Sequence, residues 1–357
     1  MVIRKMAHKI LILGASYGSL LGTKLLMAGH DVTLVCRTKT ADLINAEGTH
    51  VRIKFKGDDS HRMISSTNLP GKLNAKTPEE VVAADYNLVG LAMQEPQYAN
   101  HAIRTVLIRI AEEHIPCLSI MNMPPLAFLR RIPTLDTDIL RASYTDPSVW
   151  DRFDPSIVTL CSPDPQAFRP PDEALNVLHV GLPTNFKAAR FADEHANAIL
   201  TKIESDIADV RMDERDVPVK LRLFDSIFVP LAKWSMLLTG NYRCIKSGEP
   251  RSIRDAVHSD LEKSAAIYEF VSDLTRRLGA DPSDAVPFSK YAKAAENLLK
   301  PSSAARALAI GAPFIERVDL LVKLIAQQLG RPNPEVDQIV RIVDEKLGAN
   351  DPLSKRV

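Results

Sequence analysis

A short apolar run, residues 10–13, leads straight into Gly14, and a second run, residues 31–36, follows after a stretch that is apolar at helical spacing. No other feature restricts the fold of this chain as strongly. Residues 19–28 repeat their apolar positions as a helix does, and Gly29 ends them. Strand, helix and strand within about 30 residues make one βαβ unit. Such a unit buries its apolar strand only in a parallel sheet covered by helices. The spacing therefore predicts a Rossmann-type domain at the N-terminus.

Further strands are expected at 88–93 and 117–121, separated by a helix over 98–113, with an edge hairpin at 51–55. Between 134 and 185 the chain is rich in Pro and Asp, and reads as the irregular far edge of the first domain, with strand-like pieces at 157–161 and 177–181. From about residue 191 helical periodicity dominates. Helices are expected over 191–207, 221–239, 252–278, 303–328 and 334–347, punctuated by Gly240, Gly279, Pro301 and Gly330. The fold class is α/β, a Rossmann-type doubly wound sheet (residues 1–205) followed by an all-helical domain (206–357). With 357 residues, 45% of them apolar, the chain is long enough for both cores.

Several function classes are disfavoured. Lys plus Arg (45) nearly equals Asp plus Glu (44), so no field of one sign attracts nucleic acid or an anionic membrane. No apolar run is long enough to cross a bilayer and no export signal is evident at the N-terminus, which leads to the expectation of a cytoplasmic protein. Cys36, Cys117, Cys161 and Cys244 lie far apart, without the close pairs of zinc or redox motifs, and read as buried thiols. The histidines share no spacing that suggests a metal, and no metal site is expected.

The segment Gly14-Ala15-Ser16-Tyr17-Gly18-Ser19 joins the first strand to the first helix, where backbone N–H groups cradle a pyrophosphate. Ser16 stands where the usual G-x-G-x-x-G has its second glycine, and Gly18 comes one residue early. A plain Gly/Ser turn is the competing reading. The end of the second strand adds a separate signal. An acid there would accept the ribose hydroxyls of NAD, whereas this chain has Cys36-Arg37-Thr38-Lys39. Arg37 and Lys39 suit the 2′-phosphate of NADPH; the alternative is a solvated basic turn.

Lys9-Ile-Leu-Ile-Leu-Gly14 and Ala28-Gly-His-Asp-Val-Thr-Leu-Val-Cys-Arg37 together resemble the opening of the ketopantoate reductase family. The similarity continues in family order. Asn87-Leu-Val-Gly-Leu-Ala-Met-Gln94 is similar to its fourth-strand motif and Ser119-Ile-Met-Asn122 to the strand that follows. Leu231-Ala-Lys233-Trp-Ser-Met-Leu-Leu-Thr-Gly-Asn241 is similar to the helix bearing its catalytic Lys, and Lys300-Pro-Ser-Ser303 to its substrate-contacting turn.

The resemblance implies NADPH-dependent reduction of a small 2-oxo acid to a 2-hydroxy acid. Lys233 is then the catalytic residue, able to stabilise the developing alkoxide and protonate it. Asn122, Asn241, Ser303 and Glu316 become the substrate contacts, and Gly14, Ser16, Tyr17, Gly18, Ser19, Arg37, Lys39, Met93, Gln94 and Asn122 the cofactor contacts. A homodimer through the helical domain is one open assembly. Each site residue also has a plainer structural role: Lys233 extending to solvent, Asn241 as a helix C-cap, Ser302 or Ser303 as an N-cap, Glu316 as a surface charge.

The sequence departs from the family at Gln94, where the family has Lys, and at Leu237, where it has Asn. Counted without a gap from Ser303, the family's acidic contact falls on Ile315, one residue before Glu316. Residues 166–175 form an insert without a family counterpart. These departures point to an altered substrate pocket. They also motivate two alternatives, an NADP(H)-binding protein without turnover and an opine-type dehydrogenase that joins an amine to the oxo acid.

Overall fold

The computed structural model describes residues 7–351 and divides into two compact units. One takes residues to Met93, Gln97–Phe128 and Ser148–Asp225; the other takes Gln94–Pro96, Leu129–Pro147 and the chain from Ser226. The fold is a mixed α/β one, a parallel-dominated sheet followed by a helical portion, as the sequence predicts.

The first unit is built on an eight-stranded sheet of β1 (Lys9–Leu13), β2 (Asp31–Val35), β3 (Leu73–Lys76), β4 (Leu88–Leu91), β5 (Cys117–Ile120), β6 (Val158–Ser162), β7 (Phe186–Ala189) and β8 (Leu221–Phe224). Their spatial order is 8-7-6-5-4-1-2-3. All neighbours are parallel except β6 and β7. The stretch 3-2-1-4-5-6 is the strand order of dinucleotide-binding sheets, and it reverses direction between β1 and β4. Residues 10–13 have no exposed surface, because helices cover both faces of a parallel sheet; hence the unbroken apolar run. Helix α1 (Gly18–Met27) packs down at Gly22, where a Cβ would meet Val32, Ile12 and Leu34 at 3.5–3.7 Å. Helices α2 (Thr38–Glu47), α3 (His101–Glu112) and α4 (Glu194–Ala208) complete the unit; Asn100 and Asp193 cap the last two through backbone N–H groups of their first turns.

A second, four-stranded sheet in this unit runs in the order 62–65, 50–53, 177–182, 166–168. The hairpin expected at 51–55 is therefore part of an accessory sheet, in which 50–53 is an inner strand. Residues 157–161 and 177–181 are strands as expected, yet the region is no irregular edge: β6 joins the main sheet and 166–182 forms the accessory hairpin. The expected boundary at 205/206 falls inside α4, and the sheet continues to β8. The helix expected over 221–239 thus begins as a strand, since 221–224 alternates Leu with Arg and Phe beside β7 before Pro230 starts the helical stretch.

The second unit contains α5 (Lys233–Met236), α6 (Ile253–His258), α7 (Leu261–Arg277), α8 (Phe288–Ala295), α9 (Ser303–Ala309), α10 (Val318–Gln328) and α11 (Pro334–Asn350). Two expected long helices are each broken. Asp260 caps α7 anew after α6, and Gly311 with positive φ separates α9 from α10. In α7, Ser264, Ile267, Tyr268, Val271, Ser272, Leu274 and Thr275 are buried, the i, i+3, i+4 stripe of a core-facing helix. Residues 129–147 join this unit through a reciprocal pair: Asp136 N–H donates to Gln328 Oε1 at 3.0 Å, and Gln328 Nε2 donates to the Asp136 carbonyl at 2.9 Å. No helix among the described residues is long and apolar enough to cross a membrane.

Candidate functional site

In the first unit the phosphate loop leaves β1 at Gly14, whose φ of +104° suits glycine and whose N–H donates to the Val35 carbonyl at 3.0 Å. A Cβ there would lie 2.7 Å from the Ala92 carbonyl oxygen and 3.0 Å from Met93 Cγ. The ends of β1, β2 and β4 therefore meet at this residue, at the point where strand order reverses and such sheets bind ligands. Ser16 is exposed at the loop tip, and Gly18 opens α1 with no acidic residue in the first turn. Ser19 is buried and its hydroxyl donates to the Ala15 carbonyl, so it fixes the loop from within. Tyr17 turns away from the loop: it meets Phe186 edge-on and its hydroxyl donates to the Pro165 carbonyl at 2.7 Å.

Cys36, only partly buried unlike the other three cysteines, precedes an exposed Arg37, Thr38 and Lys39. Neither cation has an ion pair among the described residues, so both charges are available to an anion. This donor set and the glycine turn fit a nicotinamide dinucleotide, and the cations fit one bearing a 2′-phosphate. Beyond β4, Met93 N–H donates to the Tyr98 hydroxyl at 3.1 Å. Gln94 is exposed and Asn122, past the end of β5, is half-buried.

In the second unit Lys233 is half-buried at the start of α5, which runs directly into a π-helical turn, Leu237–Asn241. The turn widens because Tyr291 Oη donates to the Met236 carbonyl at 3.0 Å. Gly240 makes room for that ring: a Cβ on it would lie 2.0 Å from the Tyr291 hydroxyl. Gly240 is thus no helix stop, and Asn241 has right-handed helical dihedrals rather than those of a C-cap. Leu237 points into the core at 3% exposure. Ser302, not Ser303, is the N-cap of α9, accepting the Ala305 N–H at 3.2 Å while its hydroxyl donates to the Asn241 carbonyl at 2.7 Å. Ser303 is exposed.

Glu316 is buried at 9% exposure, so it is not a surface charge; its Oε1 accepts the Glu95 N–H at 3.3 Å. Tyr242 Oη donates to the Glu316 carbonyl and accepts the Val318 N–H at 3.0 Å, which fixes this loop before α10. Glu95, at 2% exposure, accepts from Thr145 N–H and hydroxyl, both at 2.9 Å. Burial pushes its carboxyl up to about 7, against the Thr145 hydrogen bonds, with the Glu316 charge adding to the rise. Of the expected residues, the structure brings the loop residues and Arg37 to one end of the sheet in the first unit. In the second, it places Lys233 and Asn241 on one helical stretch and Glu316 beside Glu95. Sequence reasoning missed Glu95, Tyr291 and Arg169, and left the choice of cap between Ser302 and Ser303 open. Glu95 had one signal, a carboxylate directly after the β4 motif; Arg169, within the segment 166–175, had none.

Residues 10–107 match the family model "Ketopantoate reductase PanE/ApbA". No curated protein matches the sequence. Among solved structures, the PanE/ApbA family ketopantoate reductase of Ralstonia eutropha JMP134 is 16% identical, with a TM-score of 0.64 over 96% of this chain and 99% of that one. A D-mandelate dehydrogenase in complex with NADH is 13% identical, with a TM-score of 0.58 over 96% and 100% of the two chains. The dimeric ketopantoate reductase of Staphylococcus aureus is 10% identical, with a TM-score of 0.60 over 96% and 100%. The chain is thus similar to the ketopantoate reductase family in sequence over residues 10–107, and it shares the fold of these solved structures over nearly its whole length.

Proposed function

We propose that the protein is an NADPH-dependent reductase of a small 2-oxo acid, with a substrate pocket altered from that of ketopantoate reductases. The observation that carries the reading is the Gly14 turn, closed against β2 and β4, with two exposed cations directly after β2 that have no ion pair among the described residues. When bound, NADPH supplies the hydride that reduces the substrate carbonyl carbon. Arg37 and Lys39 hold its 2′-phosphate, and the loop N–H groups of Ser16, Tyr17 and Gly18 receive its pyrophosphate. Met93, Gln94 and Asn122 complete the cofactor contacts.

Lys233 donates the proton that the reduced oxygen requires. Lys233 is half-buried and its neighbours Leu231, Trp234 and Leu237 are buried, a setting that favours partial desolvation of the amine and so eases proton release. Asn241, Ser303 and Glu316 hold the acid and its polar substituents, with Asn122 as a further substrate contact. Gln94 and the buried Leu237 remove a cation and an amide from the family's polar set, which favours a less hydroxylated acid than ketopantoate. The likeness to the dimeric enzyme makes a homodimer part of this reading, open to light scattering.

The test is NADPH oxidation against a panel of 2-oxo acids, with and without amines, for the native chain and Lys233→Met. The native chain should turn over at least one oxo acid without an amine. The variant should bind NADPH as before and lose about 10²–10⁴-fold in turnover. Near-normal turnover would remove Lys233 from the chemistry, and no turnover of any acid by the native chain would leave only nucleotide binding.

A further inference from the structure

The segment 166–175, which the sequence marks as an insert, puts a cation on the phosphate loop. Its first strand, Gln166–Phe168, pairs with Val177–Leu182 in the accessory sheet, and the next residue, Arg169, donates from Nη2 to the Ala15 carbonyl at 3.0 Å. The hydrogen bond from Tyr17 Oη to Pro165 ties the entry of the same hairpin to the same loop. Arg169 and Cys36 also feel one another electrostatically, which places the guanidinium near the end of β2 as well.

The surroundings of this charge are incomplete. Among the described residues its one hydrogen-bond partner is a neutral carbonyl, and no carboxylate pairs with it. Asp164, at the entry of the hairpin, is already engaged by Lys187 at 3.2 Å and by the Ser162 hydroxyl. The first turn of α1 offers no acid, and the helix itself adds partial positive charge there. A partly buried guanidinium beside a helix N-terminus is unfavourable alone and favourable once an anion joins it. Most of its five N–H donors remain for that anion.

We propose that Arg169 is a phosphate ligand of the bound dinucleotide, carried to the loop by the insert. The inference rests on the nucleotide-binding reading above and adds a cation that comes from outside the βαβ unit. The shared chemistry is a phosphate; its source is either the pyrophosphate, common to NADH and NADPH, or the 2′-phosphate, present in NADPH alone.

Calorimetric titration of the native chain, Arg169→Gln and Arg169→Lys with NADPH, NADH and 2′,5′-ADP tests it. Arg169→Gln keeps a donor for Ala15 but loses the charge, and should weaken NADPH binding by about tenfold or more. Arg169→Lys keeps charge without the planar fork and should fall in between. An equal loss for NADH assigns the contact to the pyrophosphate, and a loss confined to NADPH and 2′,5′-ADP assigns it to the 2′-phosphate. Unchanged affinities in a folded Arg169→Gln overturn the proposal and leave the nucleotide reading intact. Should that variant not fold, native affinity in Arg169→Lys overturns it equally. If the native chain binds neither dinucleotide, the nucleotide reading fails and this inference with it.

Discussion

Arg37 and Lys39 owe their value to isolation: both follow β2 directly, both are exposed, and neither is spent on a carboxylate among the described residues. A hydrogen bond to a charged group contributes about 1.5–3 kcal/mol. Arg37→Ala should therefore weaken NADPH binding at least about tenfold and leave NADH nearly unchanged; equal losses for the two cofactors would contradict the 2′-phosphate assignment. This basic pair was legible in the sequence because a strand end and its next residues lie adjacent in the chain. The roles of Ser302 and Ser303 were not. Both follow Pro301, and only the carbonyl of Asn241, 61 residues away, selects Ser302 as the one turned inward. Glu316 was similarly opaque, since its burial depends on Glu95 and Tyr242, which lie far from it in sequence.

At the scale of elements, the π-helical turn after Lys233 depends on an empty space. Tyr291 reaches the Met236 carbonyl only because Gly240 lacks a side chain. Gly240→Ala forces the ring or the helix to move, and overpacking of this kind costs about 1–3 kcal/mol. A thermal midpoint several degrees below that of the native chain is expected, together with reduced turnover, because Lys233 and Asn241 ride on the same stretch. Tyr291→Phe in the same background should recover part of the stability by removing the colliding oxygen; a Gly240→Ala protein that melts like the native one would refute the close approach. Helical periodicity located this segment and α7, α10 and α11 well, since each buries one stripe. It failed at 221–224, where the alternation of Leu with Arg, a strand's period, was absorbed into the helix that follows although the backbone pairs with β7. The accessory sheet escaped for the opposite reason: its strands are three to six residues long, and the pairing that joins its two halves, 50–52 with 177–179, spans more than a hundred positions.

For the whole molecule, Glu95 couples stability to pH. Its carboxyl ordinarily titrates near 4.5 and is held up to about 7 in the folded chain. Between those values the folded chain keeps a proton that the unfolded chain has released, so stability falls as pH rises from 4.5 through 7. Glu95→Gln, which mimics the protonated acid, should match the native chain near pH 4.5. By about pH 8 it should exceed the native chain by an amount on the order of 3 kcal/mol. Melting curves at the two pH values measure it, and a gap independent of pH would show that Glu95 ionises normally. The chain's α/β class and its order of sheet then helices were readable from periodicity, whereas the assignment of residues 129–147 to the helical unit was not, because nothing local distinguishes them. That assignment bears on synthesis. Asp136 emerges from the ribosome 192 residues before Gln328, the residue that clasps it. At about 5–20 residues per second this is a wait of roughly 10–40 s. Throughout it Leu129, Ile132, Leu135 and Leu140, all buried in the finished protein, lack the later helices of their unit. A chaperone that shields nascent apolar chain would find its substrate in this window, and no truncation ending near residue 225 would relieve it.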